Sequence, residues 1–198
     1  MRKNNSNINK TNLFTLILPL LTIVVIGSLF AVSLYFEKSW IYHWHGIQSD
    51  IKDSIKIAKN EGISSGVIGY GARKPAQFDR RHWIMKNASE SELLKLTKYP
   101  NGTIKAIAYE GLIRKQDFKN KTELILKAIN DQEYPIHYQS GCIGQEMYIG
   151  QYLVDFVLLI GENSPPPPPK GSAYKFGISK KDTERIIVEY KKTTTPFQ

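Results

Sequence analysis

The chain has 198 residues, 27 of them Lys or Arg against 18 Asp or Glu, for a formal charge of +9. At 41 % hydrophobic and 23 % charged it has the composition of a globular chain, long enough for one small domain beside a tether. Its single cysteine, Cys142, excludes an intrachain disulfide and a multi-cysteine zinc site, so an apolar core must hold the fold.

The first 36 residues contribute Arg2, Lys3 and Lys10 and no acid. The rest of the basic excess is spread along the chain. It would favour an acidic partner, whether phospholipid, polysaccharide or protein, but a solvated surface that happens to be basic is expected ahead of a dedicated anion site.

Leu13–Phe36 reads LFTLILPLLTIVVIGSLFAVSLYF, with no charge and no Asn, Gln or His. As a helix it rises about 36 Å, against about 30 Å of hydrocarbon, so a transmembrane helix is expected over 13–36. Pro19 near one end is tolerated there, because neighbouring groups re-satisfy the freed backbone. A cleaved signal peptide with Ala31-Val32-Ser33 at its cleavage site is the alternative. Its apolar region usually runs to only about 7–15 residues, which favours an uncleaved anchor. Trp40, Tyr42 and Trp44 alternate just beyond the span, a spacing suited to rings among lipid head groups. Arg2, Lys3 and Lys10 on one side balance Lys38, Lys52 and Lys56 on the other. The terminal amine and the short tail tip this towards a cytoplasmic N-terminus. The expected location is the cell inner membrane, single-pass, with the C-terminal domain outside and the lipid bilayer as a partner.

Ile47, Ile51, Ile55 and Ala58 form one stripe of an amphipathic helix that Gly62 ends. The following GISSGVIGYGARKP lacks the full GxGxxG pattern and a Gly-Lys-Ser/Thr ending, so it reads as a flexible connector rather than a phosphate loop. Pro75 suits the first turn of a helix through AQFDRRHWIMK, in which Phe78, Arg81, His82 and Met85 share one side. Ser89 and Glu92 have the spacing of a capping box, and Asn120 and Glu123 show a related one.

Ser89–Lys98 reads as a helix, Tyr99–Thr103 as a turn stopped by Pro100, and Ile104–Lys115 as a second helix capped by Asn101. Ala108 and Gly111 are small where another backbone is expected to come close. A Gly on a bare surface helix would cost about 1 kcal/mol relative to Ala with no return. The pattern recurs 32 residues on: Leu93-Leu94 matches Ile125-Leu126, Ile104 matches Ile136 and Ala108 matches Ser140, with Asp131–Pro135 as the second turn.

On these residues the stretch resembles the HEAT-type helical repeat, in which a helix, a Pro/Asp turn and a second helix stack into a solenoid. It is also similar, from GYGARKPAQFDRRHW through SGCIG, to a group of uncharacterised bacterial proteins, a resemblance that covers about half the chain and implies no known chemistry. HEAT units usually run to about 40 residues or more with a basic residue beside the apolar stripe. Lys105 fills that place in the first unit and His137 stands there in the second. Two copies need flanking helices to cap the stack.

Beyond Gly144, QYLVDFVLLIG permits a buried helix or a short strand near 152–160, and it is too short to span a membrane. Pro165–Pro169 is a stiff polyproline spacer, Ser179–Lys192 a final helix and TTTPFQ a tail.

Chemistry-bearing sets are few. His43-x-His45 lacks a nearby carboxylate or thiolate and reads as part of the aromatic belt rather than as a metal site. Cys142 and His137 are the only nucleophile and base within reach of each other, and five residues along one helix they face apart; a packed thiol fits better. Asp79-Arg80-Arg81-His82 reads as a salt-bridged helix surface that can also hold an anion. The sequons at Asn87, Asn101 and Asn120 coincide with helix starts, where capping accounts for them. No zinc finger, RNA-binding strand motif or basic recognition stripe supports nucleic-acid binding.

The fold class expected is mainly α: a transmembrane helix, then a small HEAT-like repeat domain. The organisation is a tail over 1–12, the span at 13–36, a juxtamembrane helix and Gly-rich linker over 37–71 and the helical domain over 72–160. A Pro-rich loop over 161–178, a helix over 179–192 and a tail over 193–198 complete it. The expected function is protein binding by a scaffold or adaptor, through a groove of successive second helices, with Arg73, Lys74, Arg80, Arg81 and His82 as contacts. No cofactor, metal or catalytic set is expected. The alternatives are a hydrolase-like enzyme using Cys142 and His137, or a purely structural envelope component.

Overall fold

The computed structural model describes residues 11–36, 38–162 and 172–194. The N-terminal tail to residue 10, the five-proline run and the last four residues lie outside these. The chain divides into two units, Met1–Ile41 and Tyr42–Gln198.

In the first unit, α1 (Thr11–Tyr35) carries Pro19 inside it. The Thr22 and Ser28 hydroxyls donate to the Leu18 and Val24 carbonyls at 2.9 and 2.7 Å, satisfying themselves on the helix's own backbone. A 3-10 turn, Lys38–Ile41, follows. Trp40 is exposed and meets Phe36 edge-on, ring centroids 5.9 Å apart. Among the described residues, no helix is long and apolar enough to cross a membrane. This corrects the expected transmembrane helix over 13–36, and with it the single-pass inner-membrane location and the topology built on it.

The second unit is mostly helical, with a small sheet that the sequence reading did not contain. Helix α2 (Ser49–Ala58) buries the expected stripe of Ile51, Ile55 and Ala58. Strand β1 (Ile63–Ile68) runs through the expected connector. Helix α3 (Ala76–Asn87) starts after Pro75, which takes an extended backbone as N-cap rather than entering the first turn. Helix α4 (Glu90–Leu96) opens on a complete capping box: Ser89 Oγ accepts from the Glu92 amide, and the Glu92 carboxylate accepts from the Ser89 amide at 2.8 Å. Glu92 also accepts from the Gln48 amide at 2.7 Å, tying α4 to the start of α2.

Helix α5 (Gly102–Arg114) begins with Asn101 accepting from the Ile104 amide at 3.2 Å. Every residue from Gly102 to Ile113 is buried. Helix α5 is therefore the shared wall of two cores. Ile104, Ile107, Ala108 and Leu112 pack with Ile51, Ile55, Ile84, Met85, Leu93, Leu96 and Tyr99 of the surrounding helices. Ala106, Tyr109 and Ile113 belong to the second core, with the sheet and the C-terminal helices. Ala108 is fully buried, and a Cβ on Gly111 would meet the Leu93 methyls at 3.1 and 3.2 Å. The close approach expected here is made by side chains of α3 and α4 rather than by a backbone.

Helix α6 (Lys121–Ile129) follows, without a side-chain cap from Asn120. The segment expected to repeat the second helix is instead strand β2 (Ile136–Gly141), paired with β3 (Ile143–Met147). The period explains the difference: Ile136 and Tyr138 are buried and His137 between them is exposed, a two-residue alternation. Gly141, at φ +55, makes the two-residue Gly141-Cys142 hairpin turn affordable, since a glycine at the first turn position suits type II′. The sheet order is β1-β2-β3, with β1 parallel and β3 antiparallel to β2.

The strand considered near 152–160 is helical. Helix α7 (Ile149–Tyr152) widens into a π-type turn, Leu153–Val157, in which the Leu158 amide donates to the Leu153 carbonyl at 2.8 Å. Leu153, Val154, Asp155, Val157 and Leu158 are all buried, so hydrophobicity carries no period to read. A 3-10 turn (Ser172–Phe176) precedes α8 (Lys180–Thr194), which packs Ile186 and Tyr190 inward.

Candidate functional site

The five contacts expected at 73–82 part company in space. Arg81 turns inward and is 6 % exposed. Its Nη1 donates to the Tyr152 hydroxyl at 2.9 Å, which donates to Glu110 Oε2 at 2.6 Å. Arg114 Nε donates to Glu110 Oε1 at 2.7 Å, and Arg81 Nε lies 3.8 Å from Oε2. Burial alone would raise the Glu110 carboxyl; Arg81, Arg114 and the Tyr152 hydroxyl outweigh it and hold the group below its ordinary value. Burial and Glu110 together push Tyr152 well above the usual phenol range. This network joins α3, α5 and α7 and is internal: Glu110 is 1 % exposed. The network turns Arg81 inward, with its guanidinium 5.3 Å from the Phe78 ring centroid.

Arg80 faces the other way, donating to Glu61 at 2.5 Å and to Gln77 at 3.2 Å. Lys74 pairs with Asp79 and stands 5.3 Å over the Phe78 ring. His82 Nδ1 is 2.8 Å from the Phe78 carbonyl oxygen, and the two rings meet at a tilt of 37° with centroids 4.2 Å apart. Arg73 is exposed. Lys74 and His82 thus flank Phe78, and Arg73 is exposed on the loop that leads to them.

That surface continues onto the loop after β1. The Ile68 and Arg73 backbones exchange hydrogen bonds at 3.0 and 3.1 Å, and the Ala72 amide donates to the Gly69 carbonyl at 3.2 Å. The Gly69 amide donates to the Gly141 carbonyl at 2.8 Å, pinning the loop to the β2–β3 turn. The stretch read as a flexible connector is therefore a hydrogen-bonded hairpin loop. At its tip Tyr70 is fully exposed, and Val67 beside it is half exposed. Gly66 brings β1 against Phe78, since a Cβ there would touch the ring at 3.4 Å. From Gly62 to Phe78 the only charged residues are Arg73 and Lys74. The arrangement presents a ring, an aliphatic side chain and the Arg73 guanidinium on a constrained loop, with Lys74 next to it paired to Asp79. It can bury apolar surface against a partner while pairing with carboxylates.

The other expected sets do not assemble. Cys142 is exposed in the hairpin turn and His137 lies on β2, with no hydrogen bond between them among the described residues. Among the described residues there is also no group of three or more His, Cys, Asp or Glu able to hold a metal. His45 is engaged through its carbonyl, which accepts from Lys95 at 3.0 Å. Tyr42 and Trp44, expected at a lipid interface, pack on Tyr99 with ring centroids 4.7 and 5.5 Å away, and the Tyr42 hydroxyl donates to the Lys95 carbonyl. Among the described residues successive second helices form no groove, because α5 is buried from Gly102 to Ile113 and a strand stands where the next was expected. A cavity of about 550 Å³ lies beside α8, lined by Gln151, Ile160, Glu162, Tyr190 and Lys191. Its Glu162 and Lys191 pair with each other at 2.7 Å, and the Tyr190 hydroxyl donates to buried Asp155 at 3.2 Å.

Sequence reasoning missed Tyr70 and Phe78. The signal was present: Gly69 and Gly71 flank Tyr70 after an apolar run, the composition of a turn that holds one ring outward.

Comparison with known proteins finds no matching family model, no matching curated protein and no matching solved structure.

Proposed function

We propose that the unit Tyr42–Gln198 is a protein-binding module, of the scaffold or adaptor kind, and that it engages an acidic partner through the loop after β1. The observation that carries this is Tyr70, fully exposed on a loop whose ends are closed by backbone hydrogen bonds. Tyr and Arg are the residue types that most often dominate interface energetics, and a ring on a constrained loop loses little conformational entropy when covered. Arg73, exposed on the loop, sets the sign of the partner, since Lys74 beside it is already paired with Asp79. The pair α4–α5, with its Pro100 turn, its Asn101 cap and buried Lys105 beside the apolar stripe, is the part we read as HEAT-like.

The test is a photo-crosslinking benzoyl-phenylalanine placed at residue 70 in the native cell. The expected result is one dominant adduct to an acidic protein, lost when Arg73→Glu is added. With the purified partner, Tyr70→Ala should weaken affinity by about tenfold or more, the loss typical of a dominant interface aromatic. Adducts no different from those of the same probe at Lys127 on α6, or adducts to lipid alone, would overturn the reading.

A further inference from the structure

Strand β3 is an edge. Among the described residues the order β1-β2-β3 gives it a strand neighbour on one side only, and Ile143, Gly144, Gln145 and Glu146 are all exposed. The hairpin fixes which backbone groups point outward. Ser140 and Ile143 close a two-residue turn. In such a hairpin the closing residues exchange both hydrogen bonds, and bonded and non-bonded pairs then alternate. Ile143, Gln145 and Met147 therefore aim their N–H and C=O groups at β2, whereas Gly144 and Glu146 aim theirs away from the sheet.

We propose that β3 pairs antiparallel with β3 of a second copy of this chain, about a two-fold axis through Gln145. In that register Gly144 stands opposite Glu146 of the second copy, and each such pair exchanges both of its outward hydrogen bonds. The side chains agree with the backbone. A Cβ on Gly144 would meet His137 Cε1 and Nε2 at 3.2 and 3.3 Å, so the His137 ring leans over Gly144. Glu146 of the second copy arrives directly across from Gly144, where its carboxylate accepts from His137 Nε2. Ile143 shares the sheet face that buries Met147, yet is itself 70 % exposed. The pairing sets it against Met147 of the second copy and covers it. The two Gln145 amides meet on the axis and bond to each other. Moving the axis to Glu146 would instead place two carboxylates face to face, which is destabilising.

The register makes the pairing testable in the full chain. The two Gln145 residues form a non-hydrogen-bonded pair, with Cα atoms about 4.5 Å apart. That separation lies inside the range of about 4.4–6.8 Å that a disulfide spans. Under mild oxidation Cys142→Ser/Gln145→Cys should give a covalent dimer in about tenfold the yield of Cys142→Ser/Lys127→Cys, whose cysteine sits on exposed α6. Adding Glu146→Pro removes one outward N–H without touching a bond to β2, as an edge strand tolerates. It should return the yield to the control while the urea midpoint shows the chain still folded. The unsubstituted protein should form no covalent dimer, since the two Cys142 thiols would lie about 20 Å apart. Yield at the control level for Gln145→Cys, a crosslink that survives Glu146→Pro, or efficient crosslinking through Cys142 would each overturn the proposal.

Discussion

The two cores that meet on α5 are built by opposite rules. Towards α2, α3 and α4 the helix presents Ile104, Ile107, Ala108 and Leu112, and closure is a matter of shape: methyl groups against a residue with no side chain. Elsewhere on its surface it presents Lys105 and Glu110, both buried. There, closure needs partners. Lys105 is held by Asp131 at 2.8 Å, and Glu110 by two arginines and a tyrosine. Burial with Asp131 nearby pushes the Tyr109 phenol up to about 12. The difference teaches that equal burial does not mean equal tolerance. The first core fails gradually as volume is mismatched, whereas the second fails abruptly when one member of a charged set is lost.

The largest effect should come from Glu110→Leu, which strands Arg81 and Tyr152 in a dry site. A loss of about 3–5 kcal/mol in urea unfolding is expected, the range for breaking a buried pair. A loss under about 1 kcal/mol would show that the network contributes little. Acid should act through the same group. The folded pKa of Glu110 lies below the ordinary 4.5, so its stabilisation is present above that pH and is lost as the pH falls through the folded value. The urea midpoint should therefore drop on going from about pH 5 to about pH 3, and drop less in Glu110→Gln. On the other face, Gly111→Leu should cost about 1–3 kcal/mol by overpacking against Leu93 and Met85. Its effect should be nearly independent of pH, which separates shape from charge. Smallest is Ser89→Ala, which removes the capping box of α4 and should cost about 1 kcal/mol.

The same division governs what could be read from the sequence. Ser89 with Glu92, Asn101 before α5, and the stripe Ile51, Ile55, Ala58 were legible because caps and helical stripes are local. The sheet was not. β1 has only Ile63 and Ser64 deeply buried, too short an alternation to stand out among glycines. β2 was masked by its 32-residue match to a helix, although Ile136, His137 and Tyr138 already alternated and Gly141 offered a tight turn. Leu153–Leu158 was opaque because it is enclosed on all sides. At the candidate site, Arg73, Lys74 and His82 stayed at the surface. Arg81 did not, and its helical register with Met85 already put it on the inward side. Its partner Glu110 comes from a distant segment, which no local pattern reveals.

Helix α5 also sets how the unit comes apart. With both cores resting on one element, neither can open without exposing a wall of the other, so partial melting gains little entropy and loses most of the packing. Amide protons of Ile107 to Leu112 should then exchange only through global unfolding, at one common rate whichever core is weakened. A unit with two kinds of core, Tyr42–Gln198, thereby behaves as a single cooperative body.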